Sequence, residues 1–339
     1  MSTRPLLQID NLSTHYVSAR GTRVVRAVDD VSLRIDAGET LGVVGESGSG
    51  KSTLALTILR LLPPAARIAS GRMLFEGEDL LEKSDAEMRR VRGKRIAMIL
   101  QDPMASLNPL FTIGDQVAEP IRVHEGVGRA TAWSRARELL KAVRIPSPQT
   151  RLRQHPHEMS GGMRQRIVGA IAISCEPRLL IADEPTTSLD LTIQAQYLNL
   201  LRELQRAHGL ALIFITHNLG IVAKMCDQLA VMYAGRVVES GPVRQIFNAP
   251  AHPYTQALLN SIPRMSDTRN RLAAIDGQPP DLVALPPGCA FAPRCPSAFD
   301  RCREAPPSQL TFGDQRTVRC WLADTGSGSA DGQVRKGAA

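Results

Sequence analysis

The chain of 339 residues has no apolar run long enough to cross a bilayer. Its longest such stretches, near Ile167–Cys175 and Leu210–Ile215, fall far short of the ~20 residues a spanning helix needs. The opening Met1-Ser2-Thr3-Arg4-Pro5-Leu6-Leu7-Gln8-Ile9-Asp10 lacks the apolar segment of a secretory signal. The chain is therefore expected to stay in the cytosol, where disulfides are rare. No internal repeat is found, so whatever machinery the chain carries is present once. Cysteine is sparse until late: Cys175 and Cys226 stand alone, and the remaining four of the six lie in the last sixth of the sequence. A chain this long can bury a core, which excludes small folds held only by disulfides or a metal. Hydrophobic residues make 43% and charged residues 22%, a globular rather than a disordered composition. At roughly 150 residues per domain, two domains are expected. The net charge of +8 (41 − 33) suits nucleic acid, acidic lipid or a phosphate ligand without choosing among them.

Patterning supplies the fold class. Residues 1–45 alternate apolar and polar, as at Val31, Leu33 and Ile35, which reads as β structure. A short apolar strand at Thr40–Val44 is followed by a Gly/Ser-rich loop and a helix from about Gly50 to Leu62. A strand is expected at Arg95–Leu100, and a mostly helical insertion from about Pro109 to Glu158. Strand and helix then alternate through Arg178–Ala182, Ile193–Ala207, Leu210–Thr216, Leu219–Met225 and Leu229–Tyr233. That order argues for a parallel sheet covered by helices. Cys175 and Cys226 fall in the expected helices and read as small buried apolar residues. After about Pro250 the composition changes. Residues 277–307 carry eight prolines, which excludes long helices and central strands, and the segment reads as a loop-rich appendage needing a staple. Residues from Asp324 on have the composition of a disordered tail.

Gly45-Glu46-Ser47-Gly48-Ser49-Gly50-Lys51-Ser52 fits G-x-x-x-x-G-K-[ST] between a strand and a helix. Glycines let successive backbone N–H groups turn toward phosphate oxygens, and the helix N-terminus adds its dipole. Lys51 is expected to reach the β- and γ-phosphates and the Ser52 hydroxyl to ligate Mg²⁺. Leu179-Leu180-Ile181-Ala182-Asp183-Glu184 is an apolar strand ending in two carboxylates. Asp183 suits the Mg²⁺ shell, and Glu184 suits orientation or deprotonation of an attacking water.

Between these sites, Met159-Ser160-Gly161-Gly162-Met163-Arg164-Gln165-Arg166 resembles the signature motif of ABC-type ATPases. Gln101 after a strand resembles the family's Q-loop glutamine, Ser188-Leu189-Asp190 its D-loop, and His217 its switch histidine. Tyr16 is placed like the aromatic that stacks on adenine, although packing would also explain it. These motifs appear in family order across residues 1–250. The resemblance implies a P-loop ABC ATPase fold: a parallel core sheet, an antiparallel β subdomain, a helical subdomain at about 109–160 and a small Cys-rich C-terminal extension at 251–323. It implies ATP and Mg²⁺ as ligands, with Glu184, His217 and Lys51 catalytic. Nucleotide contacts would come from Tyr16, Gly45, Ser47, Gly48, Ser49, Gly50, Lys51, Ser52, Thr53, Gln101, Asp183 and Asp190, and from Ser160, Gly161 and Gly162. Ser52, Gln101 and Asp183 would hold Mg²⁺. Two such domains would close head to tail, with Ser160 and Gly162 of one on the nucleotide held by Lys51 of the other. Met159 and Met163 stand where Leu and Gln are commonest, and Asn218 where Asp is usual.

Gln101-Asp102-Pro103-Met104-Ala105-Ser106-Leu107-Asn108-Pro109 resembles the extended Q-loop of oligopeptide and dipeptide importers, a branch shared with nickel importers. His252-Pro253-Tyr254-Thr255 followed by Ala257-Leu258-Leu259 resembles that branch's C-terminal extension. Cys289, Cys295, Cys302 and Cys320 are spaced C-x5-C-x6-C-x17-C, which matches neither structural zinc nor a ferredoxin run. Spacing alone leaves iron–sulfur, zinc and free thiols open, and the resemblance implies a 4Fe–4S cluster. It also implies two membrane permease subunits, a homologous but different second ATPase subunit, an extracytoplasmic peptide receptor acting indirectly, and a peripheral place on the cytoplasmic face of the inner membrane. Nickel or another small solute is the alternative cargo. A soluble ABC ATPase of DNA repair or translation would use the basic charge, yet the chain has neither a long coiled-coil insertion nor a second ATPase copy, so no nucleic acid partner is expected. A small-molecule kinase would leave the signature motif unexplained.

Overall fold

A computed structural model describes residues 4–187, 189–262, 275–313 and 316–324, with only the backbone at Met104. Ser188 and residues 325–339 of the expected tail lie outside the described residues. The strands are β1 (Leu7–Val17), β2 (Val24–Ile35), β3 (Thr40–Val44), β4 (Ala66–Phe75), β5 (Glu78–Asp79), β6 (Ile96–Ile99), β7 (Leu179–Asp183), β8 (Ala211–Ile215), β9 (Gln228–Tyr233), β10 (Arg236–Pro242), β11 (Leu310–Phe312) and β12 (Arg316–Val318).

Two sheets result. One has the order β2-β1-β4-β5 and is antiparallel throughout. The other has the order β11-β12-β10-β9-β3-β8-β7-β6, in which β9, β3, β8, β7 and β6 run parallel and the rest antiparallel. In β3, β7 and β8 every residue is buried. Strands covered on both faces need unbroken apolar runs, and Leu179–Ala182 and Ala211–Ile215 supply them. Val28, Val31 and Ile35 of β2 and Leu7, Ile9 and Leu12 of β1 bury one face of the smaller sheet in a core shared with the helix Lys51–Ile58.

The helical insertion is real: helices span Ile113–Glu125, Arg129–Ala142, Pro148–Arg151 and Pro156–Glu158. The first two share a core with the signature-motif helix Gly161–Ile173 and with β7 and β8. Helix ends follow local chemistry. Asp190 caps Leu191–His208 by accepting from the N–H groups of Thr192 and Ile193 at 3.0 Å each, and Gly209, at φ +60°, closes that helix. Cys175 and Cys226 lie just beyond the C-terminal ends of their helices rather than within them. Burial raises the thiol pKa of both, as expected of buried apolar residues.

The C-terminal segment corrects the sequence reading of an appendage too poor in apolar residues to pack without a metal. β12 pairs with β10 (Glu239↔Val318, Ser240↔Thr317), so the segment extends the main sheet. Arg316 meets the fully buried Glu239 at 2.7 Å, and Arg319 meets Asp30 at 2.8 Å. Phe291 is 1% exposed, with its ring 5.3 Å from those of both Tyr233 and Tyr254. Phe291 thus finds an aromatic core whose other members come from β9 and the helix Pro253–Asn260 rather than from the segment itself.

Phe291→Ala is accordingly expected to lower the unfolding free energy by about 3–5 kcal/mol in urea denaturation. A loss below about 1 kcal/mol would show that this aromatic cluster does not hold the segment.

Candidate functional site

The loop from Gly45 to Ser52 joins β3 to the helix Lys51–Ile58, as the spacing requires. Two glycines allow it. A Cβ at Gly50 (φ +102°) would lie 2.0 Å from the carbonyl oxygen of Ala27, and one at Gly45 would lie 2.1 Å from that of Met232. Wedged in this way, the loop turns its own carbonyls inward. Lys51 Nζ donates to the carbonyls of Gly45 and Glu46 at 2.9 Å each and to Ser49 Oγ at 3.3 Å. Lys51 is buried, and desolvation lowers its pKa against the opposing pull of Glu184, Asp183 and Glu46. Ser47, Gly48 and Ser52 stay exposed at the mouth. Tyr16 of β1 stands beside the same helix, with its hydroxyl 3.4 Å from Thr53 Oγ1.

β7 delivers Asp183 to this site. Burial raises the pKa of its carboxyl, and a hydrogen bond from Ser52 opposes the shift. Its Oδ1 is buried without a partner. An unpaired buried carboxylate oxygen beside a serine hydroxyl is costly alone and is the donor set a hydrated Mg²⁺ takes up.

Glu184 follows with φ +45°, a left-handed conformation that a non-glycine residue holds only when its surroundings fix it. Its N–H donates to Ile215 O at 2.9 Å. Three side chains from separate loops meet its carboxylate: Gln101 Nε2 at 3.1 Å, Thr187 Oγ1 at 3.0 Å and His217 Nδ1 at 3.3 Å. The sequence placed Gln101, Glu184 and His217 in family order, and the fold brings them into hydrogen-bond reach. Thr187 was missed, since a lone threonine after an acid pair carries no pattern of its own.

Other residues sit apart from this focus. Ser160 caps the helix Gly161–Ile173, its Oγ accepting from Met163 N at 3.4 Å, and Ser160 and Gly161 are exposed. Gly162 is tight instead, for a Cβ there would meet Ile193 Cγ2 at 2.9 Å. Met159 packs into the core of the helical region, where an apolar side chain is what the site needs. Asp190 acts here as a helix cap. Asn218 is another cap, accepting from Gly220 N at 2.9 Å and Ile221 N at 3.3 Å, a role an amide oxygen fills as a carboxylate would.

Cys289, Cys295, Cys302 and Cys320 line one small cavity with His252 and Phe291. Burial pushes the Cys289 thiol up to about 11 and raises Cys295 and Cys320 as well. Among the described residues no three or more His, Cys, Asp or Glu stand close enough together to hold a metal ion. The expectation of a metal at these thiols therefore gains no support from single-ion geometry: the four share a wall without converging on one point.

The family model described as ABC transporter matches residues 28–187, and the one described as oligopeptide/dipeptide transporter, C-terminal region, matches residues 238–302. The chain is similar to the dipeptide transport ATP-binding protein DppD of Bacillus subtilis, at 49% identity over 94% of this chain and 95% of that one. It resembles the oligopeptide transport ATP-binding protein OppD of Haemophilus influenzae at 46% identity, over 94% of this chain and 98% of that one. Among solved structures, a dimeric post-hydrolysis state of the ATP-binding cassette MJ0796 bound to ADP and Pi aligns with TM-score 0.63 at 25% identity, over 70% of this chain and 99% of that one.

The C-terminal match includes His252, which is wholly buried. Its Nδ1 accepts from Tyr254 N at 3.0 Å, and its Nε2 has no partner. Burial depresses its pKa from 6.5 to about 3. Between those values the unfolded chain binds the extra proton, so this contribution is complete above pH 6.5 and declines as pH falls toward 3, by about 1.4 kcal/mol per pH unit. Urea denaturation across the acid range should show His252→Asn, which keeps a cap acceptor, losing that decline relative to wild type. Parallel pH profiles for the two proteins would contradict it.

Proposed function

Because the chain belongs to the ATP-binding family of ABC transporters, we propose that its ATP hydrolysis powers import of di- or oligopeptides through membrane permease partners. The observation that carries the engine is the gathering of Gln101, Thr187 and His217 on Glu184, beside a phosphate loop whose Lys51 is already buried. The cargo rests on the C-terminal match at residues 238–302 and on the DppD and OppD relatives.

The chemistry follows from these positions. Backbone N–H groups of Gly48, Ser49 and Gly50, together with Lys51, Ser52 and Thr53, take the phosphates of ATP, and Tyr16 takes the adenine. Ser52, Asp183 and Gln101 would hold Mg²⁺, and the ion would offset charge on the β- and γ-phosphates. Glu184 orients the attacking water and draws its proton, so that the water oxygen bonds to the γ-phosphorus as the bond to ADP breaks. His217 and Gln101 hold that carboxylate in place. Ser160, Gly161 and Gly162 present a capped helix N-terminus to solvent, where a second subunit's γ-phosphate would complete the site. Leu189 and Asp190 would lie at the same seam. ATP then holds two subunits together and hydrolysis releases them. A single copy of the machinery would require a second ATPase subunit, which we take to be homologous but different, together with two permeases and an outer receptor that hands over the peptide. Among the described residues no helix is long and apolar enough to span a membrane. The chain would sit peripherally on the cytoplasmic face, with residues 1–250 as the ATPase domain and 251–323 as the C-terminal region.

The four thiols line one cavity, and four cysteines are the donor set a 4Fe–4S cluster takes. We place a structural or redox cluster there. Anaerobically purified protein should carry iron and acid-labile sulfide that a Cys302→Ser variant loses; wild-type protein free of both would reject it.

A strain lacking the chain should lose uptake of labelled peptide. Wild type should restore it and Glu184→Gln should not, while the purified variant keeps ATP binding and hydrolyses at least about 100-fold more slowly. Uptake restored by Glu184→Gln would sink the reading.

A further inference from the structure

Glu46, the second residue of the phosphate loop, is gripped three ways. Its N–H donates to the Tyr254 hydroxyl at 2.9 Å, and its carbonyl accepts from Lys51 Nζ at 2.9 Å. Its carboxylate receives both terminal nitrogens of Arg294, at 2.7 and 3.0 Å, in a bidentate pair. Two of these three holds come from the C-terminal region, 208 and 248 residues away along the chain. The Arg294 side chain is 4% exposed. Every nitrogen of its guanidinium is engaged, the remaining bonds going to the Asp276 carbonyl at 2.9 Å and to Tyr233 Oη and the Ile275 carbonyl at 3.2 Å each.

We propose that Arg294 is a positioning residue for nucleotide binding: it fixes Glu46 and cancels its charge, so that the loop presents a net positive face to the phosphates of ATP. The physical need is direct. An uncompensated carboxylate within the loop would stand beside the site that must accept several negative charges, in partly buried surroundings where screening is weak. Arginine suits the place because its planar fork holds a carboxylate in one orientation and stays charged at every working pH. The consequence is that the C-terminal region is part of the nucleotide site. Arg294 directly precedes Cys295 on the thiol cavity, so displacement of that wall would be felt at the loop.

The inference rests on the loop being the ATP site, which a Lys51→Ala control tests separately. The experiment is equilibrium binding of ATP with Mg²⁺ to the full-length protein, with thermal unfolding as a check on folding. Arg294→Gln should weaken ATP binding by about tenfold. Adding Glu46→Gln should return affinity to within about twofold of wild type, since removing the stranded charge removes the repulsion. A purely packing role for Arg294 would lower thermal stability in both variants and give no such recovery. Wild-type affinity in Arg294→Gln, or no recovery in the double variant, would overturn the proposal. Should Arg294→Gln not fold, Arg294→Lys, which keeps the charge and loses the fork, is expected to bind ATP less tightly than wild type, and unchanged affinity there would overturn it equally. If Lys51→Ala also binds ATP as wild type does, the phosphate-loop reading itself fails.

Discussion

A single buried ammonium organises this molecule. Lys51 Nζ gathers the carbonyls of Gly45 and Glu46 and the hydroxyl of Ser49, and so fixes the shape of the phosphate loop. Burying that charge has a cost, visible in the lowered lysine pKa, and Glu184, Asp183 and Glu46 offset it from three directions. Those carboxylates have their own needs. Glu184 is met by Gln101, Thr187 and His217, Glu46 by Arg294, and Asp183 by Ser52 with one oxygen left over. Charge balance around one lysine thus recruits loops from across the whole chain.

The sheets are the means by which those loops reach one point. β3, β7 and β8 are buried along their full length and end side by side, with the loop at Gly45, the pair Asp183 and Glu184, and His217 following them. The C-terminal region joins the same sheet through β12 and packs Phe291 against Tyr233 and Tyr254. It is therefore continuous with the ATPase core, and its arginines reach back to Asp30 and Glu46.

How much of this was legible from residues alone follows the range of each interaction. The phosphate loop and the acid pair are local signals, since their spacing itself is the chemistry, and the structure sets them beside each other. Buried strands at Thr40–Val44 and near Leu179 and Leu210 were readable because unbroken apolar runs leave little choice. β4 and β5 were not, for Ala66–Phe75 mixes glycine, arginine and serine and becomes a strand only by pairing with β1. Thr187 and Arg294 were invisible for a different reason: their meaning lies in partners that no local window contains. The packing of the C-terminal segment was hidden for the same reason. Read locally, Cys289 to Cys320 sit in a stretch without a core, but the core is contributed by β9 and the helix Pro253–Asn260.

The central claim is that this chain is the peripheral ATPase of a membrane transporter and acts with a second such subunit. Affinity purification of the tagged chain from detergent-solubilised membranes, followed by identification of everything recovered, tests this most directly. Two polytopic membrane proteins and one further ABC ATPase are expected in stoichiometric amounts. Recovery of ribosomes or DNA in their place would contradict it.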